Sequence, residues 1–151
     1  MVDEKVFLWI NQDLLECYAL YVGILLLKCF LMIPHVGLSR VYYKAPRNPE
    51  DGAIMNVKVY TNENVERIRR AHLNDLENIP FFIAISFLYL LTDPSVEPTK
   101  WIIRVYVLSR IVYTILYTVF KTIWRIPVFE IGLFTNFYLC GSVIYHFAGK
   151  F

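Results

Sequence analysis

Charged and amide side chains recur every three or four residues in the stretch ERIRRAHLNDLE at 66–77. On an α-helix this spacing places them along one ridge, within an arc of about 100°. The ridge consists of Glu66, Arg67, Arg70, Asn74 and Glu77. An arginine fork suits a carboxylate and a glutamate suits an ammonium group, so the ridge could hold a ligand that carries both signs of charge.

A second interpretation of the ridge is a solvated helix start, with surface ion pairs between its own Arg and Glu side chains. The chain turns apolar immediately after the ridge, in IPFFIAISFLYLL at 79–91. Charges at the edge of a bilayer cost several kcal/mol unless they are paired or face an aqueous cavity. The continuation into an apolar segment therefore favours a binding site.

A polar stripe is also expected on a later helix. Tyr106, Arg110, Tyr113 and Tyr117 are spaced by four, three and four residues, which places them within about 60° of one another on a helix. An arginine in the middle of an apolar segment should face the interior of a bundle. Lys28 lies in a similar position in the first apolar segment and needs an acidic partner, for which Asp75 and Glu77 are the candidates.

The composition indicates a membrane protein. Hydrophobic residues make up 57% of the chain, aromatic residues make up 17%, and the mean hydropathy is +0.46. A net charge of +2 without a basic tail gives no reason to expect a nucleic-acid partner. The three histidines, His35, His72 and His146, lie on different segments without ligand spacing, so no metal site is expected.

The elements that would position these residues are all helical. Hydropathy and length predict an all-α integral membrane four-helix bundle with up-down topology, in one domain over 1–151. The predicted spans cover approximately 12–40, 66–92, 98–121 and 127–147. Short connections predict that the second span lies beside the third and the third beside the fourth. RNPEDG at 47–52 lies inside the long first connection and is interpreted as a turn, and a helix is expected to start near Ser95.

The distribution of Lys and Arg predicts the orientation in the membrane. Basic residues are more frequent on the side of the first and third connections, which places that side in the cytosol. They are Arg40, Lys44, Arg47, Lys58, Lys121 and Arg125, with Arg67, Arg69 and Arg70 next to them.

Three sequence strings resemble a known family. NPED at 48–51, VERIRRAHLNDLENIPFF at 65–82 and SRIVYTILY at 109–117 are similar to segments of the MAPEG family, the membrane-associated proteins in eicosanoid and glutathione metabolism. Within it, the resemblance is greatest to the microsomal glutathione transferase branch, which is related to microsomal prostaglandin E synthase. The resemblance implies a homotrimer that binds glutathione between subunits, near the cytosolic side.

The resemblance also implies the roles of particular residues. The family's glutathione-binding positions correspond to Arg40, Arg70, Asn74, Glu77, Tyr113 and Tyr117. Tyr113 stands where the family usually has histidine. Arg125 is the counterpart of the family's catalytic arginine, although here it precedes a proline in WRIP and does not follow one. Tyr117 is expected to assist Arg125 with a hydrogen bond, and Asp51 is expected to orient it.

The expected activity is activation of the glutathione thiolate, for conjugation to hydrophobic electrophiles and reduction of lipid hydroperoxides. Glutathione would be the co-substrate, without a metal, and membrane lipid would surround the trimer in the endoplasmic reticulum or the mitochondrial outer membrane. The alternatives are a prostaglandin E synthase, which Ile126 disfavours because that branch has serine there, and a non-catalytic lipid-binding scaffold. A small channel or transporter would need inverted repeats or broken helices, and the sequence shows neither.

Overall fold

The computed structural model describes residues 10–150, and over this range the chain is entirely helical between its turns. Five α-helices follow one another, and a π-helical segment at Leu116–Phe120 directly continues the fourth. The α-helices are α1 (Gln12–Tyr42), α2 (Pro49–Met55), α3 (Glu63–Leu90), α4 (Val96–Ile115) and α5 (Arg125–Ala148). The all-helical prediction is therefore confirmed for the described residues.

Three of the four long helices are long and apolar enough to cross a membrane. They are α1, α4 together with its π-helical continuation, and α5. The remaining long helix, α3, carries the charged ridge in its first half and an apolar stretch in its second half. The two halves form one unbroken helix through Pro80, as the sequence predicted, and the membrane crossing of α3 itself stays a prediction.

The segment RNPEDG was wrongly predicted to be a turn, because α2 begins within it at Pro49. Proline is favoured at the first position of a helix, where its missing N–H removes no hydrogen bond. Glu50 and Asp51 follow in the first turn, where the helix dipole stabilises negative charge. The same residue types serve turns and helix starts, which is why composition alone misassigned this segment. The start of α4 was predicted correctly, with Ser95 at its N-cap.

The arrangement of the helices differs from the predicted one. Both α1 and α5 pack along α3 and along α4, whereas α3 and α4 touch each other at few points. The helices are thus ordered α1, α3, α5, α4 around the bundle, and the prediction that the second and third spans lie side by side is wrong. The short turn between α3 and α4 spans a diagonal of the bundle. Long side chains fill that diagonal, where Phe82 stacks on Tyr106 with ring centroids 3.6 Å apart.

Most buried residues of the bundle are apolar, but the described interior also contains two fully buried charged residues, Asp75 and Arg110. Lys28 Nζ lies 2.5 Å from Asp75 Oδ2, so Asp75 and not Glu77 is its partner. Arg110 is fully buried and donates from Nη2 to the carbonyl oxygens of Phe129 at 3.0 Å and Val128 at 3.4 Å. The predicted inward orientation of the stripe on α4 is therefore confirmed for Arg110.

Candidate functional site

Tyr117 stands at the centre of a group of arginines at one end of the bundle. Arg70 donates from Nε to the Tyr117 hydroxyl at 3.1 Å. The guanidinium carbons of Arg125 and Arg67 lie 4.8 Å and 5.6 Å from the centroid of the Tyr117 ring. We call these four residues, from α3, α5 and the π-helical segment, the arginine–tyrosine cluster.

Local structure explains why Tyr117 reaches these partners. The hydroxyls of Thr114 and Thr118 donate to the carbonyl oxygens four residues earlier, at 3.2 Å and 2.7 Å, where α4 widens into the π-helical segment. Such widened turns change the direction in which side chains point and are frequent at functional sites. Lys121 follows the segment as its C-cap, and its Nζ donates to Asn64 Oδ1 at 2.9 Å, which ties this end to the first turn of α3.

Arg125 occupies the first position of α5. Its Nη1 donates to the carbonyl oxygen of Thr122 at 3.1 Å, which bends the side chain back toward the turn that follows Tyr117. Within residues 10–150 no carboxylate forms an ion pair with Arg125. Its positive charge is therefore available to an anion at this end of the bundle.

One carboxylate balances part of the charge of the cluster. Glu63 Oε1 lies 2.5 Å from Arg70 Nη2 and 3.5 Å from Arg67 Nη2. The side chains of Glu63 and Arg70 are 66% and 41% exposed, so water can replace either partner. Three guanidinium groups against one exposed carboxylate leave an excess of positive charge, which suits an anionic ligand.

The resemblance implied that Arg70, Tyr117 and Arg125 belong to one site, and in the structure Arg70 and Arg125 both contact Tyr117. Tyr113 lies next to them, with its ring centroid 5.7 Å from that of Tyr117. Its other neighbours are Phe129 and the buried Arg110, so it supports the cluster from the inside.

Other predicted site residues lie apart from the cluster. Arg40 contacts Glu66, with Nη2 and Oε1 3.8 Å apart, in a separate cavity. Asp51 accepts a hydrogen bond from Asn48 at 3.4 Å within α2, and no ion pair joins it to Arg125 in the described part of the chain. The assignment of Asp51 as the residue that orients Arg125 stays a prediction.

Asn74 and Glu77 follow Arg70 along α3. The Oδ1 atom of Asn74 is buried without a hydrogen-bond partner among the described residues, and Glu77 is exposed. The ridge of α3 is therefore divided between two sets of partners. Glu66 contacts Arg69 and Arg40. Arg67 and Arg70 instead contact Tyr117.

The sequence analysis missed two contributors to the site. The predicted ridge includes Arg67 but the predicted site does not, and Glu63 lies just before the predicted ridge, which begins at Glu66. Glu63, Arg67 and Arg70 follow one another by four and three residues, so the periodicity that defined the ridge would have included both. In the described residues no group of His, Cys, Asp and Glu side chains is arranged to hold a metal ion.

Comparison with known proteins agrees with the resemblance seen in the sequence. The MAPEG family model matches residues 18–145. Microsomal glutathione S-transferase 1 of Mus musculus is 40% identical over 113 residues, which cover 71% of this chain and 73% of that protein. The human protein of the same name is 39% identical over 123 residues, covering 78% and 74%.

A second group of relatives carries a different name. Prostaglandin E synthase of Bos taurus is 31% identical over 109 residues, which cover 71% of each chain. The family model and both groups of relatives lead to the same assignment: this chain belongs to the MAPEG family of membrane proteins.

Proposed function

We propose that this protein is a membrane-bound glutathione transferase and that the arginine–tyrosine cluster binds and activates glutathione. The single observation that carries this proposal is the gathering of Arg67, Arg70 and Arg125 around the Tyr117 ring, with Glu63 as the one carboxylate among them. Relatives with 38% to 40% identity are named microsomal glutathione S-transferase 1.

The charge of the cluster suits glutathione. The tripeptide carries two carboxylates, one ammonium group and a thiol that reacts as the thiolate. Arg70 can exchange the exposed Glu63 for a ligand carboxylate and keep a charge-assisted hydrogen bond. The buried Oδ1 of Asn74, which has no partner among the described residues, can accept from an amide N–H, and Glu77 can pair with the ammonium group.

Arg125 is the residue that we assign to the sulfur. A cation beside a thiol stabilises the thiolate, and each unit by which the thiol pKa falls corresponds to about 1.36 kcal/mol. The Tyr117 hydroxyl can donate a second hydrogen bond to the sulfur, because its oxygen accepts from Arg70 and its proton is left to donate.

The reaction then needs little more from the protein. In conjugation, the sulfur forms a bond to an electrophilic carbon, and the leaving group departs with its electron pair. In hydroperoxide reduction, two glutathione molecules become a disulfide while the hydroperoxide becomes an alcohol and water. Apolar electrophiles and lipid hydroperoxides would enter from the bilayer, which surrounds helices with many exposed apolar side chains.

We further propose a homotrimer of four-span subunits, with glutathione between subunits and the cluster facing the cytosol. Arg40 lies away from the cluster of its own chain, which fits a contribution to the site of a neighbouring subunit. The basic side chains at this end support the cytosolic orientation, in the endoplasmic reticulum or the mitochondrial outer membrane.

The test is glutathione conjugation by purified Arg125→Ala and Arg70→Ala. We expect Arg125→Ala to lower kcat/KM by roughly a hundredfold or more, as for the loss of a group that stabilises developing or existing negative charge. Arg70→Ala should raise the KM for glutathione. The matched control is Arg104→Ala, since Arg104 contacts Trp101 on α4, outside the cluster, and should keep its activity. Full binding and turnover in both cluster variants would refute the proposal.

The second candidate is a glutathione-dependent prostaglandin E synthase, which the relatives of that name favour. Ile126 after Arg125 disfavours it, because the resemblance implies a serine at that position in the synthase branch. Product analysis with a prostaglandin endoperoxide separates the two activities. A non-catalytic lipid-binding scaffold would fail to bind glutathione in a titration of the detergent-solubilised protein.

A further inference from the structure

A cavity separate from the arginine–tyrosine cluster lies at the same end of the bundle. It has a volume of about 330 Å³ and is lined by three arginines from three different elements. Arg40 belongs to the last turn of α1, Arg47 to the connection before α2, and Arg69 to α3. Three guanidinium groups around one cavity point to a ligand with several negatively charged oxygens.

The one carboxylate in the lining is already used. Glu66 contacts Arg69 through Oε2 at 2.7 Å and Arg40 through Oε1 at 3.8 Å. Arg47 forms no ion pair in the part of the chain that the structure describes. The lining therefore carries two positive charges in excess, and Glu66 holds two of the arginines in place beside the third.

The position of the cavity indicates which class of anion lies near it. Arg40 lies two residues before the end of α1, one of the helices long and apolar enough to cross a membrane. Ile33, two turns before Arg40 on the same face of α1, and Val41, next to Arg40, are 58% and 60% exposed. The cavity thus lies at the end of a candidate membrane span, with exposed apolar side chains along the span and basic side chains at its end. This is the level of lipid phosphate groups, which attract arginine at the cytoplasmic surface.

We propose that the cavity between Arg40, Arg47 and Arg69 binds the phosphate group of an anionic membrane lipid. The guanidinium groups of Arg47 and Arg69 hold the phosphate oxygens, and the lipid tails lie along the exposed apolar side chains of α1. The cavity volume of about 330 Å³ is many times the volume of about 30 Å³ that one water molecule takes in the liquid. The cavity is therefore large enough for a phosphate with its glycerol. The lipid proposal does not depend on the glutathione proposal, although the two share Arg40.

The test uses the purified full chain in a neutral detergent. Three probes are titrated: dihexanoyl phosphatidic acid, dihexanoyl phosphatidylcholine and inorganic phosphate. We expect the phosphatidic acid to raise the melting temperature of the protein and the other two to have little effect. Arg47→Ala and Arg69→Ala should each weaken binding of the phosphatidic acid about tenfold, as for a lost charge-assisted hydrogen bond.

The control separates a built site from general attraction of anions to a basic surface. Lys58 is exposed, precedes Val59 of the lining and does not itself line the cavity, so Lys58→Ala should bind the lipid as tightly as the unchanged protein. Equal weakening in Lys58→Ala would overturn the proposal. So would inorganic phosphate that binds as tightly as the lipid, since the site would then recognise the free anion.

A further outcome concerns glutathione, because Arg40 is also among the residues proposed to bind it. The variants are therefore placed at Arg47 and Arg69, which lie outside that set. We expect both variants to keep glutathione binding and transferase activity. Loss of glutathione binding in Arg47→Ala, or displacement of the lipid by glutathione, would assign the cavity to the glutathione site and overturn the lipid proposal.

Discussion

Two regions of the molecule combine cations, carboxylates and tyrosines, and they differ in burial. In the core, Asp75 and Arg110 are fully buried, and the Lys28 side chain is 13% exposed. In the arginine–tyrosine cluster, the Arg70 side chain is 41% exposed and its carboxylate partner Glu63 is 66% exposed. The same residue types therefore occur once buried in the core and once exposed to solvent.

Burial decides what the charges can do. A buried cation that loses its partner costs several kcal/mol, so the core pair cannot exchange partners with a ligand. An exposed ion pair contributes about 0–1 kcal/mol and is easily replaced. Charge alone thus does not identify a binding site in this bundle. The core charges hold helices together, and the exposed charges at the end of the bundle are the ones free to bind.

The largest effect on stability is expected from Asp75→Ala. The change leaves Lys28 without its carboxylate inside the bundle, which should lower the free energy of unfolding by about 3–5 kcal/mol. Thermal unfolding in detergent measures this. Glu77→Ala, two residues along α3 on an exposed side chain, is the control and should unfold within about 0.5 kcal/mol of the unchanged protein. Equal stability of the two variants would contradict the contrast between the regions.

The second prediction concerns the position of Gly132, which makes room for Arg110. A Cβ atom at residue 132 would lie 2.2 Å from Arg110 Nη2. Gly132→Ala should therefore push the guanidinium group away from the carbonyls of Val128 and Phe129 and cost about 1–3 kcal/mol. Gly141→Ala on the same helix meets nothing within 4 Å and is the control. There alanine should leave stability unchanged or raise it slightly; a Gly132→Ala variant that unfolds at the same temperature would contradict this account of Arg110.

A smaller effect, on the glutathione site and not on stability, is expected from Tyr117→Phe. The ring that faces Arg125 and Arg67 remains, while the hydroxyl that accepts from Arg70 is lost. One hydrogen bond of about 0.5–1.5 kcal/mol corresponds to a change in glutathione affinity of about two- to tenfold. Calorimetric titration measures this change. Unfolding should be unaffected, and a large loss of stability would instead assign Tyr117 to the core.

The smallest effect is expected from salt. Raising the ionic strength from about 0.1 M to 1 M shortens the screening length from about 10 Å to 3 Å. Glutathione binding at the exposed cluster should weaken several-fold, whereas the unfolding temperature should change little because the core charges are shielded from water. Salt-independent binding would contradict the charge-based recognition proposed for the cluster.

Periodicity was sufficient to predict what lies within one helix. The charged first half and apolar second half of α3 form one helix, and Arg110 faces inward, as the spacing indicated. What depends on contacts between helices was not predictable in the same way. The division of the ridge between Tyr117 and Arg40 follows from which neighbour lies beside each side chain, and the sequence contains no signal for this.

Two further predictions were wrong. The sequence predicts a turn where α2 lies, because turns and helix starts share Asn, Pro and acidic residues. The diagonal position of α3 and α4 could not be inferred from the short connection between them, since that connection is compatible with either arrangement.

The central claim is that the arginine–tyrosine cluster stabilises the thiolate of bound glutathione. The most direct measurement is the pKa of the bound thiol, followed by the ultraviolet absorbance of the thiolate during a pH titration of the unchanged protein and Arg125→Ala. We predict a thiol pKa below that of free glutathione in the unchanged protein and a rise of about one unit or more in the variant, where each unit corresponds to about 1.36 kcal/mol. Equal thiol pKa values in the two proteins would contradict the claim.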